Sequence, residues 1–440
     1  MAILYGAPVD TSTAQLLAIT VFCIALWITT PIPPAMTGLV CIGLIGVVFS
    51  PDLALTGFSS PTVWLVIFGL LLGEATRTSG LAHWGGQQVK ALAWPTGTAT
   101  LPARRAYGRL LAVSSGAAVV FAFLVPSALV RILTMAPILV TLGATFESER
   151  ARIGIFLAPI MATFHVAPGI YTAGLPNIIT TGIAESLGVP TVSWTAWTLQ
   201  MFPIMGAGRA ALAAAVVYIL FRPTDSQSVA APTETDDLLG TEKRMLAFLL
   251  IGVLVWSTDV FHGLHPLFGA LVVVLLALLP GIGVVSFDDL ADVDFSIVFF
   301  LGAVFAIAAG LTQTGFTETA ARTLLAYVPT DGALWLVLAL IFAISMGLTF
   351  LLEGLAVTSV LTPIVVSYAQ RTGLPIEPIL MIESVGVSTY LFPYQSVVLV
   401  AILGEDVVDA VTLIRTMAWI SVLSIILLVP LQIALFTLLY

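Results

Sequence analysis

The sequence predicts an all-α polytopic membrane protein built from two inverted repeats, each with about five transmembrane helices and one re-entrant hairpin. Its composition, its apolar segments and an internal similarity lead to this prediction. Of the 440 residues, 59% are hydrophobic and only 9% are charged, against about 25% charged in soluble domains. So few charges cannot cover a water-facing surface, so we expect the bilayer to be the solvent. Soluble enzymes, nucleic-acid-binding proteins and disordered scaffolds are excluded.

Apolar stretches near the length that spans a bilayer occur along the whole chain. In the first half they cover 14–32, 36–50, 62–80, 107–126, 130–146, 153–190 and 196–221, and in the second half 244–261, 266–284, 295–312, 332–351, 357–369, 375–402 and 411–439. Residues 223–243 between the halves are polar and acidic, which predicts a soluble linker. We therefore expect repeat 1 over 1–222 and repeat 2 over 244–440.

Four short matches occur in the same order in both halves, at a nearly constant separation. They pair Trp27 with Trp256, Thr76–Leu81 with Leu311–Phe316, Ser127–Ile138 with Glu353–Ile364, and Thr198–Phe202 with Thr412–Met417. Such an order indicates an internal duplication, which is the build of many secondary transporters.

The basic residues predict the orientation. An odd number of crossings per repeat inverts one repeat relative to the other. With the N-terminus outside, ten basic residues fall inside: Arg77, Lys90, Arg104, Arg105, Arg109, Arg150, Arg152, Arg222, Lys243 and Arg244. Arg322 and Arg371 fall outside, while Arg131, Arg209 and Arg415 lie within apolar segments. Cytoplasmic loops are rich in Lys and Arg. We therefore expect a multi-pass protein of the cell (inner or plasma) membrane, with both termini on the outer side and the linker in the cytoplasm.

Each half has two interruptions in its apolar segments. Breaks at Val125–Arg131 and Leu351–Val357 predict hairpins over 107–146 and 332–369. Breaks at His165–Asn177 and Ser388–Gln395 predict broken helices over 153–190 and 375–402. Paired breaks in two repeats mark transport sites, and helix N-termini at such breaks suit anions. The alternative is that these Pro and Gly residues only kink ordinary helices.

Three charged residues lie at or near the breaks, where charge is unfavourable without a functional or structural reason. Arg131 can bind a carboxylate or another oxyanion bidentately. Glu353 and Glu383 can carry a proton or hold a cation. The structural alternative is an ion pair between Arg131 and one of these carboxylates.

Four uncharged polar residues complete the candidate set. Asn177, the only Asn in the chain, can coordinate a cation, donate to an anion or cap a helix. Tyr394 and Gln395 lie at the matching break of the second half, and their side chains can likewise coordinate a cation or donate to an anion. His165 can titrate near neutral pH, or it is a packing residue.

These motifs resemble the divalent anion:sodium symporter family, the di- and tricarboxylate and sulfate carriers, over nearly the whole chain. The matching positions are the turn Thr29–Leu39, the hairpin tips Ser127–Leu129 and Glu353–Leu355 with Pro137-Ile138 and Pro363-Ile364 behind them, and the broken-helix motifs Gly174–Asn177 and Phe392–Gln395. The resemblance implies a homodimer in which a mobile transport domain moves as an elevator against a fixed scaffold. It places substrate at the hairpin tips and broken helices. With Arg131 and Thr358 added, the expected substrate residues are Ser127, Ala128, Leu129, Arg131, Pro176, Asn177, Gly354, Leu355, Thr358, Pro393, Tyr394 and Gln395.

The hairpin tips depart from the family pattern, because neither keeps the Asn or Thr of its Ser-Asn-Thr motif. Three coupling schemes follow: a proton at Glu353 in place of sodium, Arg131 as a tethered cation, or exchange with no coupling ion. The residues expected to hold a coupling ion or proton are Ser127, Asn177, His165, Glu353 and Glu383.

The sequence therefore predicts a secondary carrier of small anions, either carboxylates or a sulfate-like oxyanion, with no cofactor beyond Na⁺ or H⁺. We expect no structural or catalytic metal and no nucleic-acid partner. The alternative is a cation/proton antiporter that uses Glu353 and Glu383. An intramembrane enzyme is disfavoured, since the chain lacks the His-Glu-x-x-His and Gly-x-Ser-x-Gly motifs.

Overall fold

The computed structural model describes residues 10–29, 31–94, 100–190, 192–223, 228–230, 240–291, 293–327, 333–350 and 354–440. The helices of the first half are α1 (Thr11–Thr29), α2 (Pro34–Val48), α3 (Pro51–Leu55), α4 (Pro61–Thr78), α5 (Leu81–Ala93), α6 (Ala103–Leu124), α7 (Ala128–Gly143), α8 (Glu149–His165), α9 (Leu175–Ser186), α10 (Trp194–Met201) and α11 (Arg209–Phe221). Those of the second half are α12 (Gly240–Ser257), α13 (Asp259–His262), α14 (Leu267–Leu278), α15 (Ser296–Gln313), α16 (Phe316–Tyr327), α17 (Leu334–Thr349), α18 (Gly354–Thr372), α19 (Ile376–Val387), α20 (Val397–Gly404), α21 (Ala410–Leu423) and α22 (Val429–Leu439).

Several helices are long and apolar enough to cross a bilayer. Five qualify among the described residues: Ala103–Leu124, Glu149–Gly169, Trp194–Phe221, Ser296–Gln313 and Ala410–Leu439. The pair Pro51–Ser59 and Pro61–Thr78, bent by 50°, is a sixth candidate. The prediction of an all-α polytopic membrane protein is confirmed.

Local chemistry explains the first break in the helices. Helix α6 ends at Leu124, and Pro126 cannot continue it because proline has no backbone N–H. Ser127 then caps α7, its hydroxyl accepting a hydrogen bond from the Val130 N–H at 3.3 Å. The two predicted segments 107–126 and 130–146 are therefore two helices that meet at a three-residue break.

The predicted broken helices are also interrupted. Helix α8 ends at His165, two short 3-10 turns follow, and α9 begins at Leu175 with Pro176 in its first turn. In the second half, α19 ends at Val387 and α20 begins only at Val397. Both segments change from helix to extended or 3-10 backbone in the middle.

Helix α8 lies in the centre of one helical group, where it packs against α6, α7 and α11. The 3-10 turn after α8 crosses the wide π-type turns between α10 and α11 at a glycine pair. A Cβ on Gly169 would lie 2.4 Å from the Gly206 Cα, so no side chain larger than hydrogen fits there.

Arg150 and Arg244 contact helix ends that the predicted topology puts on one side of the membrane, here called the basic end. Arg150 Nε donates to Leu220 O at 2.8 Å, which joins the start of α8 to the end of α11. Arg244 Nη1 donates to Ile282 O at 3.1 Å, which joins the start of α12 to the loop after α14. Arg415 and Arg150 line one surface pocket.

The opposite end of the molecule, here called the far end, carries different contacts. Thr13 Oγ1 donates to Thr314 O at 3.0 Å, which joins the start of α1 to the end of α15. Arg371 forms an ion pair with Glu318 at 2.8 Å. This pair joins the start of α16 to the end of α18.

The linker prediction, 223–243, falls mostly outside the described residues. Its described strand β2 (Ser228–Ala230) pairs antiparallel with β1 (Thr100–Pro102). Helix α12 begins at Gly240, three residues before the predicted end of the linker. The division into repeats stays a prediction.

Candidate functional site

A cavity of about 330 Å³ lies where the first helix break, the first broken helix and the second half of the chain meet. Its volume is at the lower end of small-molecule sites, roughly 300–1,000 Å³. Five predicted substrate residues line it: Ser127, Ala128, Leu129, Pro176 and Leu355. Another part of the lining comes from α4 and from the segment that leads into α15, including Leu65, Gly69, Asp294 and Ile297.

Two helix N-termini face this cavity. Ala128 and Leu129 are the first residues of α7, and Leu175 and Pro176 are the first of α9. The first backbone N–H groups of a helix have no partner within it and carry a partial positive charge. Because both N-termini line the same space, the cavity is suited to an anion.

Arg131 lies behind the cavity and does not line it. Its side chain is fully buried, with 0% exposed, and its nitrogens donate only to oxygen atoms of the protein. Nη1 donates to Val125 O at 2.6 Å, and Nη2 donates to Thr163 O at 3.2 Å and to Ala173 O at 3.1 Å. Nε donates to Thr163 Oγ1 at 2.9 Å. The guanidinium therefore joins the hairpin break to both sides of the broken helix.

The alternative of an ion pair between Arg131 and Glu383 is not seen in the described part of the chain. Glu383 instead accepts a hydrogen bond from Thr362 Oγ1 at 2.8 Å, and its second oxygen is buried without a described partner. Glu353 lies outside the described residues. The positive charge of Arg131 instead faces the C-terminal carbonyls of α8, the negative end of that helix.

Asn177 forms hydrogen bonds that connect the two sides of the first broken helix and link it to α19. Its amide nitrogen donates to Ala167 O at 2.8 Å and to Ile170 O at 3.0 Å. Its amide oxygen accepts from Ser384 Oγ at 2.6 Å, which ties α9 to α19. The side chain is fully buried, and both of its polar atoms are used within the protein.

Gln395 does the same work at the second break. Its Oε1 accepts from the Leu391 and Phe392 N–H groups, both at 2.7 Å, and its Nε2 donates to Thr349 O at 2.7 Å. It thus links the break to the end of α17. Pro393 beside it is half-buried, and the Tyr394 side chain lies outside the described residues.

The other predicted positions of the second half lie at the start of α18. A Cβ on Gly354 would lie 3.1 Å from Val387 O, so this helix start lies against the end of α19. Leu355 forms part of the cavity wall. Thr358 is fully buried, and its hydroxyl donates to Leu355 O at 2.6 Å.

Buried polar groups remain near the second break. His165 Nδ1 bonds to Met161 O at 2.9 Å, so this nitrogen carries the hydrogen, while Nε2 has no described partner. Arg209 is fully buried, and its Nη2 donates to Ser388 O at 3.1 Å. Sequence reasoning did not place Arg209 in the site, although an arginine within the apolar segment 196–221 was the available signal.

The chain was compared with known proteins. The family described as "Sodium:sulfate symporter transmembrane region" matches residues 3–440. An L-tartrate/succinate antiporter from Shigella dysenteriae serotype 1 is 26% identical over 422 residues, covering 84% of this chain and 81% of the relative. The Escherichia coli K12 protein of the same name is 25% identical over 421 residues, with the same coverage.

A solved structure shares the fold. The crystal structure of the Alcanivorax borkumensis YdaH transporter superposes with a TM-score of 0.52 at 15% identity, covering 97% of this chain and 98% of that one. This likeness concerns the fold alone. The family match across the chain and the apolar helices make this protein a multi-pass membrane transporter and not an enzyme. The chain belongs to the sodium:sulfate symporter family, the divalent anion:sodium symporters.

Proposed function

We propose that this carrier exchanges small dicarboxylates across the membrane and needs no sodium for the exchange. The observation that carries the proposal is the Arg131 guanidinium, which is fully buried among carbonyl oxygens behind an anion-suited cavity. The relatives named L-tartrate/succinate antiporters support both the substrate class and the exchange.

The position of Arg131 bears directly on sodium. Unwound backbone carbonyls and half-helix C-terminal ends are the groups that coordinate a coupling cation in transporters with broken helices. Here the oxygens of Val125, Thr163 and Ala173 accept hydrogen bonds from one guanidinium. A covalently attached charge neutralises these carbonyls permanently and releases no energy from an ion gradient. Of the roles that the sequence leaves open, this geometry favours the tethered cation.

An elevator motion fits the walls of the cavity. One wall comes from the first break and the first broken helix, and the other from α4 and the start of α15. The second wall presents mostly apolar side chains such as Leu65, Val66 and Ile297. The polar residues of this wall are Glu74, Asp294 and Ser296, and its apolar remainder lets the helices that carry the substrate slide along it. The homodimer rests on the family resemblance.

The experiment is uptake of labelled succinate into proteoliposomes that are either empty or loaded with tartrate. Exchange predicts rapid uptake only into loaded vesicles. Leu129→Trp, which fills the cavity, should abolish uptake, while Val140→Trp on the exposed face of the same helix should not. Equal uptake into empty vesicles under an inward sodium gradient would contradict the proposal.

The same vesicles test the cation/proton antiporter. The observation in its favour is the second Glu383 oxygen, which is buried without a described partner. Proton movement driven by a sodium gradient, in the absence of any dicarboxylate and lost in Glu383→Gln, would replace the exchange proposal with that function.

A further inference from the structure

A second buried guanidinium lies close to the cavity and is only partly used. Arg209 donates through Nη2 to Ser388 O at 3.1 Å and to Thr389 Oγ1 at 3.4 Å. Its Nε and Nη1 atoms are buried with no hydrogen-bond partner in the described part of the chain. Arg131, equally buried, uses all three of its nitrogens. Unlike Arg131, Arg209 therefore has two nitrogen atoms whose hydrogen-bond donors are unused in the described part of the chain.

His165 is part of the same cluster. Its side chain is 2% exposed, and its imidazole lies close enough to the Arg209 guanidinium for the two groups to interact electrostatically. Since Nδ1 is bound to Met161 O, only Nε2 remains, and it has no partner among the described residues. The two side chains thus leave three nitrogen atoms unmatched in one buried region. Unmatched buried polar groups are unfavourable. Arg209 offers two N–H donors here, and His165 Nε2, which carries no hydrogen, offers an acceptor.

The cluster adjoins the cavity wall. Phe164, Ser388 and Tyr390 line the cavity, and they are the chain neighbours of His165 and Thr389. The Ser388 carbonyl that accepts from Arg209 therefore belongs to a residue that a bound substrate would also face. The unmatched atoms therefore lie next to the second break, which lines the same cavity as the helix N-termini at Ala128 and Leu175.

The geometry points to a buried site in which Arg209 and His165 bind one carboxylate group of the transported anion. An unused N–H of Arg209, on Nε or Nη1, donates to one oxygen of this group. His165 Nε2 carries no hydrogen and accepts the O–H of the same group, so the substrate binds with one proton on this carboxyl. The second carboxylate lies at the N-terminus of α7. This inference rests on the proposed function and deepens it, because it makes two carboxylates a requirement for tight binding.

The test compares succinate with butyrate, four-carbon acids with two carboxylates and one. Binding to the purified full-length protein is measured by calorimetry, and folding is followed by the melting temperature. The variants are Arg209→Lys, which keeps a charge and a donor for Ser388 O, and His165→Asn, which keeps the donor to Met161 O and removes Nε2. Arg415→Lys, an exposed arginine within an apolar segment, is the matched control.

Wild type and Arg415→Lys should bind succinate more tightly than butyrate. Arg209→Lys and His165→Asn should lose about tenfold to a hundredfold in succinate affinity while butyrate affinity stays unchanged. A preference retained in both variants, or an equal loss for both acids, would show a purely structural role and overturn the inference. If Arg209→Lys does not fold, His165→Asn decides alone.

Two further outcomes separate this inference from the proposed function. If wild type exchanges dicarboxylates but chloride displaces succinate competitively at equal concentration, the site takes small inorganic anions; the inference then fails and the exchange proposal stands. If wild type neither binds nor exchanges dicarboxylates, both fail together.

Discussion

Buried polar side chains at the breaks mainly hold non-helical backbone in place. Asn177 and Gln395 each satisfy peptide groups that a continuous helix would have paired. Backbone at membrane depth has no water to bond with, so these side chains replace the missing helical bonds. Their conformations are as important to folding as to transport.

This role predicts a large effect for Asn177→Ala. The variant removes one of the two hydrogen bonds that Ala167 O and Ile170 O each accept, and it leaves Ser384 Oγ without its partner in a buried region. We expect a loss of about 2–4 kcal/mol in the free energy of unfolding. Thr141→Ala, which removes an exposed hydroxyl from α7, should change stability little. A melting curve of Asn177→Ala that matches wild type would contradict this role.

The sequence predicted that Arg131 has a special role, because an arginine inside an apolar segment needs partners. It could not predict which way the guanidinium turns. A break supplies both N–H groups and carbonyls, and an arginine beside it can bind a substrate or the carbonyls. The path of the chain at Ala173, 42 residues away, decides between them.

At the scale of elements, the breaks depend on close backbone crossings. Gly169→Ala would place a methyl group 2.4 Å from Gly206 Cα and 2.6 Å from Gly206 N. Since both partners are backbone, neither rotates away. We expect a loss of about 1–3 kcal/mol, as for overpacked cores, measured by thermal unfolding in detergent.

Gly116→Ala is the control for that substitution. Gly116 lies in the interior of α6, where an added Cβ meets nothing within 4 Å, so alanine should stabilise the helix by roughly 0.5–1 kcal/mol. A Gly169→Ala protein as stable as wild type would show that the crossing can open.

The sequence also predicted where the elements break, since Pro126, Pro168 and Pro176 interrupt apolar runs that are otherwise continuous. It did not predict α5 and α16 as separate helices. Both are short and carry polar residues along one face, so a search for stretches of about 20 apolar residues passes over them.

At the scale of the whole molecule, the distribution of Lys and Arg between the predicted loops predicts which side of the protein faces the cytoplasm. We expect the basic end to face the cytoplasm. A membrane-impermeant maleimide should label Gln313→Cys at the far end in intact cells and Ser286→Cys only after permeabilisation. The native Cys23 and Cys41 are buried and contribute little background. Labelling of Ser286→Cys in intact cells would reverse the orientation.

The overall architecture was the most predictable level, because composition and segment length alone determine a polytopic helical protein. The cavity was less so. Ser127 and Leu355 are far apart in sequence, and only the packed helices bring them to one space.

The most direct measurement of the central claim is the rate of tartrate/succinate exchange with sodium present and with choline in its place. The account predicts equal rates for wild type and for Arg415→Gln. It predicts that Arg131→Gln is inactive in choline and partly restored by sodium, because the carbonyls of Val125, Thr163 and Ala173 are then open to a free cation. Wild-type exchange that stops when sodium is withdrawn would contradict the account.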